Sequence, residues 1–276
     1  AKQKPLAERI AHGRLISRLN EEFSGQTDQA VGAAVPDVID RAKAYLMRLD
    51  LDEPTRTLSS TEDAVFLNAT IRKSSQLAAP VPAPPLPVVG EALVQIHESL
   101  VNNTIGSILA GRKMTRSELR SIVSKVKPDD EADSGEEAPD FEIDFARSRP
   151  IIFEAREGQL RIGVRGTRFA QGRRVIEKPL EIVAVYRPVE GESGDLRLQR
   201  DGDLTVNFPG TKRLSTMQAG TRGAIKTAFA KAFPESLMDE PLRLPEDSQV
   251  EQFKGVAIHS RSFDAQNGWL SIGLGT

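Results

Sequence analysis

The sequence predicts an α+β protein in which an antiparallel sheet is covered by amphipathic helices. Apolar and polar residues alternate between Phe141 and Phe208, with the period of two that a sheet with one solvated face requires. Apolar residues also recur at helical spacing near residues 99–110 and 219–233. Because the apolar stripe of a helix must be buried against another element, we expect both helices to cover the apolar face of the sheet.

Composition limits the class of protein. The chain has 276 residues, of which 39% are apolar and 28% are charged, and its net charge is −2. These values are typical of an ordinary globular protein rather than of a disordered or nucleic-acid-coating chain. The absence of cysteine excludes disulfides, thiolate zinc sites and thiol nucleophiles. No uninterrupted apolar stretch approaches the roughly 20 residues that span a bilayer, so we expect no membrane-spanning segment.

A proline track divides the chain into two parts. Five prolines occur in the eight residues 80–87, and because proline fixes φ and lacks a backbone donor, this segment is predicted to be a stiff, extended connector. It separates a partial N-terminal module, residues 1–79, from a C-terminal domain, residues 88–276. The N-terminal module is predicted to contain two amphipathic helices followed by a hairpin, with the following bounds: Leu6–Phe23, Val31–Leu49, and strands Arg56–Ser60 and Val65–Ile71.

The C-terminal domain begins with a strand, Glu91–His97, and a helix for which Ser99 is a suitable N-cap and Gly111 a suitable end. A second short helix is predicted near 117–126, followed by an acidic loop at 129–140. Turn signals then divide the alternating region into hairpins, and a final hairpin turns around Asn267-Gly268. The predicted turns are Glu157-Gly158, Gln171-Gly172, Gly191–Gly194 and Asp201-Gly202.

The order of these elements resembles a known family. A proline-rich bridge followed by a strand that runs directly into a helix, Ala92–Asn103, resembles the middle of the bactericidal/permeability-increasing protein family and its tubular lipid-binding (TULIP) relatives. The closing segment, with Phe233-Pro234, Pro241–Pro245 and a terminal hairpin, is similar to the end of the second barrel of that family. The resemblance covers most of residues 40–276, as an order of elements with short matching patches.

The resemblance implies a fold and a function. The sheet would be strongly curved and barrel-like, would wrap around the amphipathic helices and would leave an apolar tunnel that takes acyl chains; the protein would be secreted or periplasmic. The sequence departs from the family because it has no cysteine for the family's disulfide, lacks the long hairpins of the first barrel and has no basic barrel tip. Binding of lipopolysaccharide, which depends on that tip in some members, is therefore not expected.

The predicted fold allows two alternative functions, and the choice between them depends on whether side chains fill the core. If the sheet and helices do not close completely, the chain is a non-enzymatic binder of a lipid or another apolar ligand, since each buried methylene contributes about 0.8 kcal/mol. If the core is filled, the chain is a structural or protein-interaction module of an envelope-associated assembly. The N-terminal hairpin is expected to pair either with the C-terminal domain or with another protein chain. The residues predicted to line the tunnel are Leu100, Thr104, Ile108, Ile225, Phe229 and Phe233.

A basic hairpin is the second candidate site. Arg161 and Arg165 lie four positions apart on a predicted strand and so share one face, where they could contact an anionic group. The alternative is a solvated strand face that blocks edge pairing. Phe169 is the one aromatic residue nearby, so stacking of nucleic-acid bases is disfavoured.

The sequence offers no catalytic or metal-binding motif. His97-Glu98 begins like a zinc-protease motif, but Val101 stands where the second histidine is required. Ser99 has no surrounding nucleophile elbow and is interpreted as a helix cap. We therefore expect no enzyme activity, no cofactor and no metal.

Overall fold

The computed structural model describes residues 54–62, 64–85, 90–119, 121, 140–191, 194–211, 213, 215–243 and 255–276. The two helices predicted before residue 54, most of the helix predicted at 117–126 and the predicted acidic loop lie outside these residues. No helix in the described part of the chain is long and apolar enough to cross a membrane.

The described residues form a largely β protein. Strands account for 47% of them and helices for 18%. The prediction of an α+β fold with a strongly curved sheet wrapped around helices is wrong, because the main antiparallel sheet is neither curled nor closed. The apolar surface of this sheet packs partly on a second sheet, whereas helices were expected to cover it.

The larger sheet contains nine strands within the described ranges, all paired antiparallel. Its main path runs β12-β10-β9-β7-β5-β4, and β11 pairs with β9 while β6 and β8 pair with β7. The strands are β4 (Lys113–Thr115), β5 (Glu142–Phe145), β6 (Ile151–Arg156), β7 (Gln159–Gln171), β8 (Arg174–Ile176), β9 (Leu180–Glu190), β10 (Leu196–Arg200), β11 (Thr205–Asn207) and β12 (Ser236–Leu237).

Two smaller antiparallel sheets complete the described strands. One has the order β13-β14-β15-β3, and the other is the hairpin β1-β2. The predicted terminal hairpin and N-terminal hairpin are both confirmed, and each N-terminal strand differs from its predicted bounds by one residue. These strands are β1 (Thr55–Ser60), β2 (Val65–Thr70), β3 (Ala92–His97), β13 (Leu242–Arg243), β14 (Ala257–Gln266) and β15 (Trp269–Gly275).

The helical elements are short. The first, called the bulged segment, joins α1 (Glu98–Val101), a π-helical turn (Asn102–Gly106) and α2 (Ser107–Leu109). The longest described helix is α3 (Thr216–Phe229), which a 3₁₀ turn (Ala230–Ala232) extends. Residues 116–119 are also helical. Ser215 and Gln218 form a capping box that fixes the start of α3.

The core lies where the main sheet meets α3 and the terminal hairpin. Alternating residues of β9 point into it: Leu180, Ile182, Ala184 and Tyr186 are all buried. Ala265 and Leu270 from the terminal hairpin join the same cluster as Ile225 and Phe229 from α3. The Tyr186 hydroxyl donates a hydrogen bond of 2.9 Å to the Pro234 carbonyl, so the one polar atom of this large side chain is satisfied within the core.

Candidate functional site

The side chains of the second helix that were predicted to line a tunnel belong to the buried core cluster. Ile225, Phe229 and Phe233 are 0%, 4% and 6% exposed. The ring of Phe229 lies between those of Phe141 and Phe233, with centroid distances of 4.9 and 6.4 Å. Such offset aromatic contacts are typical of a filled interior.

The other three predicted tunnel residues lie on the bulged segment, which packs chiefly on β3 and β6, whereas α3 packs on β8 and β11. Thr104 is buried, and its hydroxyl donates to the Leu100 carbonyl at 2.7 Å. Leu100 and Ile108 are half-buried. Binding of an apolar ligand stays a prediction, and the curved sheet that was to form the tunnel wall is not present.

The two arginines predicted to contact an anion are paired with glutamates on neighbouring strands. Arg161 Nη1 lies 2.6 Å from Glu154 Oε2, and Arg165 Nε lies 2.7 Å from Glu181 Oε1. Glu154 stands directly opposite Arg161, and Glu181 directly opposite Arg165. The structure therefore brings Arg161 and Arg165 to one face, as predicted, and places a counter-charge beside each. Sequence reasoning missed these glutamates because finding them requires the strand register.

A polar cleft was not predicted. It has a volume of about 770 Å³ and lies between the segment after the β1-β2 hairpin, the bulged segment and the loop between β5 and β6. It is lined by residues 75–78, 80, 97–99, 102, 103, 106, 107, 110 and 147–150. A volume of this size is within the range of small-molecule sites.

Asn103 holds the first wall of the cleft in place. This buried side chain donates from Nδ2 to the Leu77 carbonyl at 2.9 Å, and Gln76 donates in return to the Asn103 carbonyl at 3.0 Å. Asn103 belongs to the π-helical turn, a rare element that is frequently found at functional sites. The chain after the β1-β2 hairpin is thus tied to the bulged segment.

His97 lines the cleft and caps α1. Its Nδ1 accepts from the Ser99 backbone N–H at 3.1 Å and lies 2.9 Å from Ser99 Oγ. His97, and not Ser99 as predicted, is therefore the N-cap. Because Nδ1 is an acceptor, the neutral ring carries its proton on Nε2. Burial lowers the pKa of His97, and the nearby Glu98 opposes this effect only partly.

Glu98 and Asn102 line the cleft from the bulged segment. Glu98 Oε2 and Asn102 Oδ1 are both shielded from solvent, and neither has a hydrogen-bond partner among the described residues. The Glu98 side chain lies against Gly268, where an added Cβ would be 3.1 Å from Glu98 Cδ. A side chain at position 268 would therefore displace this carboxylate, and the φ of +82° at Gly268 also favours glycine.

Arg147 and Arg149 line the cleft from the loop between β5 and β6. Among the described residues, no carboxylate lies within ion-pair distance of either guanidinium. The backbone carbonyl of Arg149 accepts from Arg165 Nη1 at 3.2 Å, which anchors the loop to β7. Within the described part of the chain, the cleft thus combines acceptor oxygens that have no hydrogen-bond donor with guanidinium groups that have no carboxylate partner, an arrangement suited to binding a polar ligand.

Comparison of the chain with protein-family models, with curated proteins and with solved structures gave no match.

Proposed function

We propose that the protein is a non-enzymatic structural module that assembles by pairing strand β2 with the same strand of a second copy. The observation that supports this proposal is the exposure of the β1-β2 hairpin. Val65, Phe66 and Leu67 are 60%, 46% and 54% exposed. An isolated two-stranded hairpin is at best marginally stable in water, so a further strand would stabilise it.

The sequence of β2 favours a second copy as the occupant. Edge strands of monomeric proteins usually carry charges or prolines that block pairing, but β2 reads Val-Phe-Leu-Asn-Ala-Thr and has neither. β1 carries Arg56. Antiparallel pairing of β2 with β2 of another copy places no like charges opposite each other, and it forms a closed, two-fold symmetric interface.

The burial of the apolar side chains of α3 supports the same function. Phe229 and Ile225 occupy the interior where a cargo was to lie, which favours the structural alternative over apolar ligand binding. Extraction of the purified protein with organic solvent followed by mass spectrometry separates the two alternatives, since a lipid binder yields stoichiometric lipid and a structural module yields none.

Sedimentation velocity over a concentration series tests the assembly. We expect a dimer whose population rises with concentration, and we expect Leu67→Lys to shift it to monomer because a charge is then placed in the paired strand. Leu77→Lys is the matched control, since Leu77 is 84% exposed and lies outside any strand. A wild-type protein that stays monomeric, or a dimer that Leu67→Lys leaves intact, would overturn the proposal.

A further inference from the structure

The polar cleft between the bulged segment and residues 147–150 contains acceptor oxygens that the fold leaves unused. Glu98 and Asn102 are four residues apart along the bulged segment and therefore share one face. Each buries an oxygen without a hydrogen-bond partner in the described part of the chain. Native proteins pair nearly all buried polar atoms. Two unpaired oxygens beside one cleft therefore suggest a bound ligand that donates hydrogen bonds to them.

The cation nearest to Glu98 does not serve these oxygens. Arg156 Nη2 lies 3.8 Å from Glu98 Oε1, which is the other carboxylate oxygen, and the Arg156 side chain is 62% exposed. At this distance the pair is an electrostatic contact and not a hydrogen bond. Among the described residues, Glu98 Oε2 is therefore left as a shielded acceptor without a hydrogen-bond donor.

The chemistry of Glu98 Oε2 and Asn102 Oδ1 indicates which ligand group could donate hydrogen bonds to both. A primary ammonium has three N–H donors and a positive charge, which matches a carboxylate and an amide oxygen on one helical face. A divalent cation is a poorer match, because calcium takes six to eight oxygen ligands and no cluster of three or more acidic, histidine or cysteine side chains occurs in the residues described.

The same cleft offers partners for an anion. Arg147 and Arg149 line it without an ion pair among the described residues, and a guanidinium binds a carboxylate through two parallel hydrogen bonds. A ligand that carries both an ammonium and a carboxylate would satisfy both sides. The volume of about 770 Å³ accommodates a short peptide or a free amino acid.

A ligand can reach the two shielded oxygens only if the side chains turn. The terminal torsions of glutamate and asparagine are soft, so the proposal requires a rotation of the Glu98 carboxylate and the Asn102 amide toward the cleft that both residues line.

We infer that this cleft binds a small zwitterion, with its primary ammonium on Glu98 and Asn102 and its carboxylate toward Arg147 and Arg149. The probe is glycylglycine, titrated into the full chain by isothermal calorimetry. We expect saturable binding that is lost with N-acetyl-glycylglycine, which lacks the ammonium, and weakened with the C-terminal amide, which lacks the carboxylate.

Variants assign the contacts. Glu98→Gln keeps the shape of the side chain and is expected to weaken glycylglycine binding about tenfold or more, and Asn102→Ala is expected to weaken it by a smaller factor. Glu190→Gln is the matched control, because the same change is made at an exposed residue outside the cleft. Urea unfolding of each variant is measured in parallel, so that loss of the site is distinguished from loss of the fold.

Several results would overturn the inference. These are equal binding of the acetylated probe, retention of affinity by a folded Glu98→Gln variant, competition by calcium at equimolar concentration, or no saturation at about 10 mM glycylglycine. If Glu98→Gln does not fold, the acetylated probe and Asn102→Ala still decide the outcome. The dimer of the proposed function is measured separately by sedimentation and does not depend on this cleft.

Discussion

The rings of Phe141 and Phe229 lie with their centroids 4.9 Å apart and their planes inclined by 37°. Phe141 immediately precedes β5 and Phe229 ends α3, so this contact joins the helix to the main sheet. Both residues are almost fully buried. The contact occupies the position at which sequence reasoning expected an apolar passage.

Phe229→Ala is therefore expected to destabilise the protein by about 3–5 kcal/mol, because it removes a buried ring and leaves a cavity. Urea unfolding followed by circular dichroism measures the change. Val175→Ala, at a residue that is 43% exposed, is expected to cost less than about 1 kcal/mol. If Phe229 lined a passage for ligand, its truncation would leave stability nearly unchanged, and that result would contradict the filled core.

Gly163 and Gly223 are predicted to respond in opposite directions to the same substitution. A Cβ at Gly163 would lie 2.2 Å from the Ile182 carbonyl oxygen of the adjacent strand, so Gly163→Ala must push β7 and β9 apart. We expect a loss of about 1–3 kcal/mol in the free energy of unfolding. Because Gly163 stands opposite Val183 in the register, shifts in the amide resonances of β9 should accompany the loss.

Gly223 lies on the exposed side of α3 and has no atom within 4 Å of an added Cβ. Gly223→Ala is therefore expected to stabilise the protein by about 0.5–1 kcal/mol, since alanine restricts the unfolded chain and favours the helix. Thermal and urea unfolding of both alanine variants provide the comparison. Equal destabilisation by the two substitutions would show that the close approach at Gly163 is not the cause.

Glu142 links β4 to β7 through two cations. Its Oε2 lies 2.8 Å from Lys113 Nζ, and its Oε1 accepts from Arg168. The hydrogen bond from Lys113 is the largest cause that lowers the pKa of Glu142, and the one from Arg168 follows. Because the folded pKa lies below the usual value of 4.5, the contribution of Glu142 is fully present above that pH and is lost as pH falls through the lowered pKa.

The difference in urea midpoint between wild type and Glu142→Gln should therefore be largest at neutral pH and should shrink below the usual glutamate pKa. Added salt should also reduce this difference, because the Glu142 side chain is only partly shielded from solvent. Glu240→Gln serves as the control, because Glu240 is exposed and lies outside the strands. Its difference in urea midpoint from the wild type should not shrink as pH falls. A Glu142→Gln effect that is constant with pH would mean that the ion pairs do not contribute.

The strands that local patterns predicted are confirmed, because their signal lies within a few neighbouring residues. Phe141, Ile143 and Phe145 alternate in the sequence and are all buried in the structure. The turn at Asn267-Gly268 is also confirmed, and both residues adopt the positive φ that such a hairpin requires. The alternation of apolar and polar residues, however, indicates which face of a strand is apolar. It does not indicate which element covers that face.

The fold class was missed for this reason. Ala265 and Leu270 of the terminal hairpin pack into the same core as Phe229, so a second sheet covers part of the surface that the prediction assigned to helices alone. The cleft could not be predicted either. Its walls come from residues within the segments 75–80, 97–110 and 147–150, and only the spacing of Glu98 and Asn102 is visible along the chain. The π-helical turn that contains Asn102 has no distinctive sequence pattern.

His97 is predicted to make folding stability depend on pH near neutrality. Burial against Trp269, whose ring centroid is 5.0 Å away, disfavours the charged ring and lowers the pKa of His97 below 6.5. The unfolded chain therefore binds a proton at this position at a higher pH than the folded protein does. As pH falls from 6.5 through the lowered pKa, the free energy of unfolding should decrease, and above 6.5 it should be constant with respect to this group.

Urea unfolding between about pH 5 and 8 measures this dependence, and proton NMR of the His97 ring gives the folded pKa directly. His97→Gln is expected to remove the pH-dependent part, although it also loses the cap on α1 and so starts from a lower stability. His259→Gln, in which a half-buried histidine is replaced, is the matched control for the same substitution at another site. If the free energy of unfolding of His97→Gln still falls with pH as in the wild type, while that of His259→Gln does not, the pH dependence does not come from His97. The prediction that burial lowers the pKa of His97 would then be wrong.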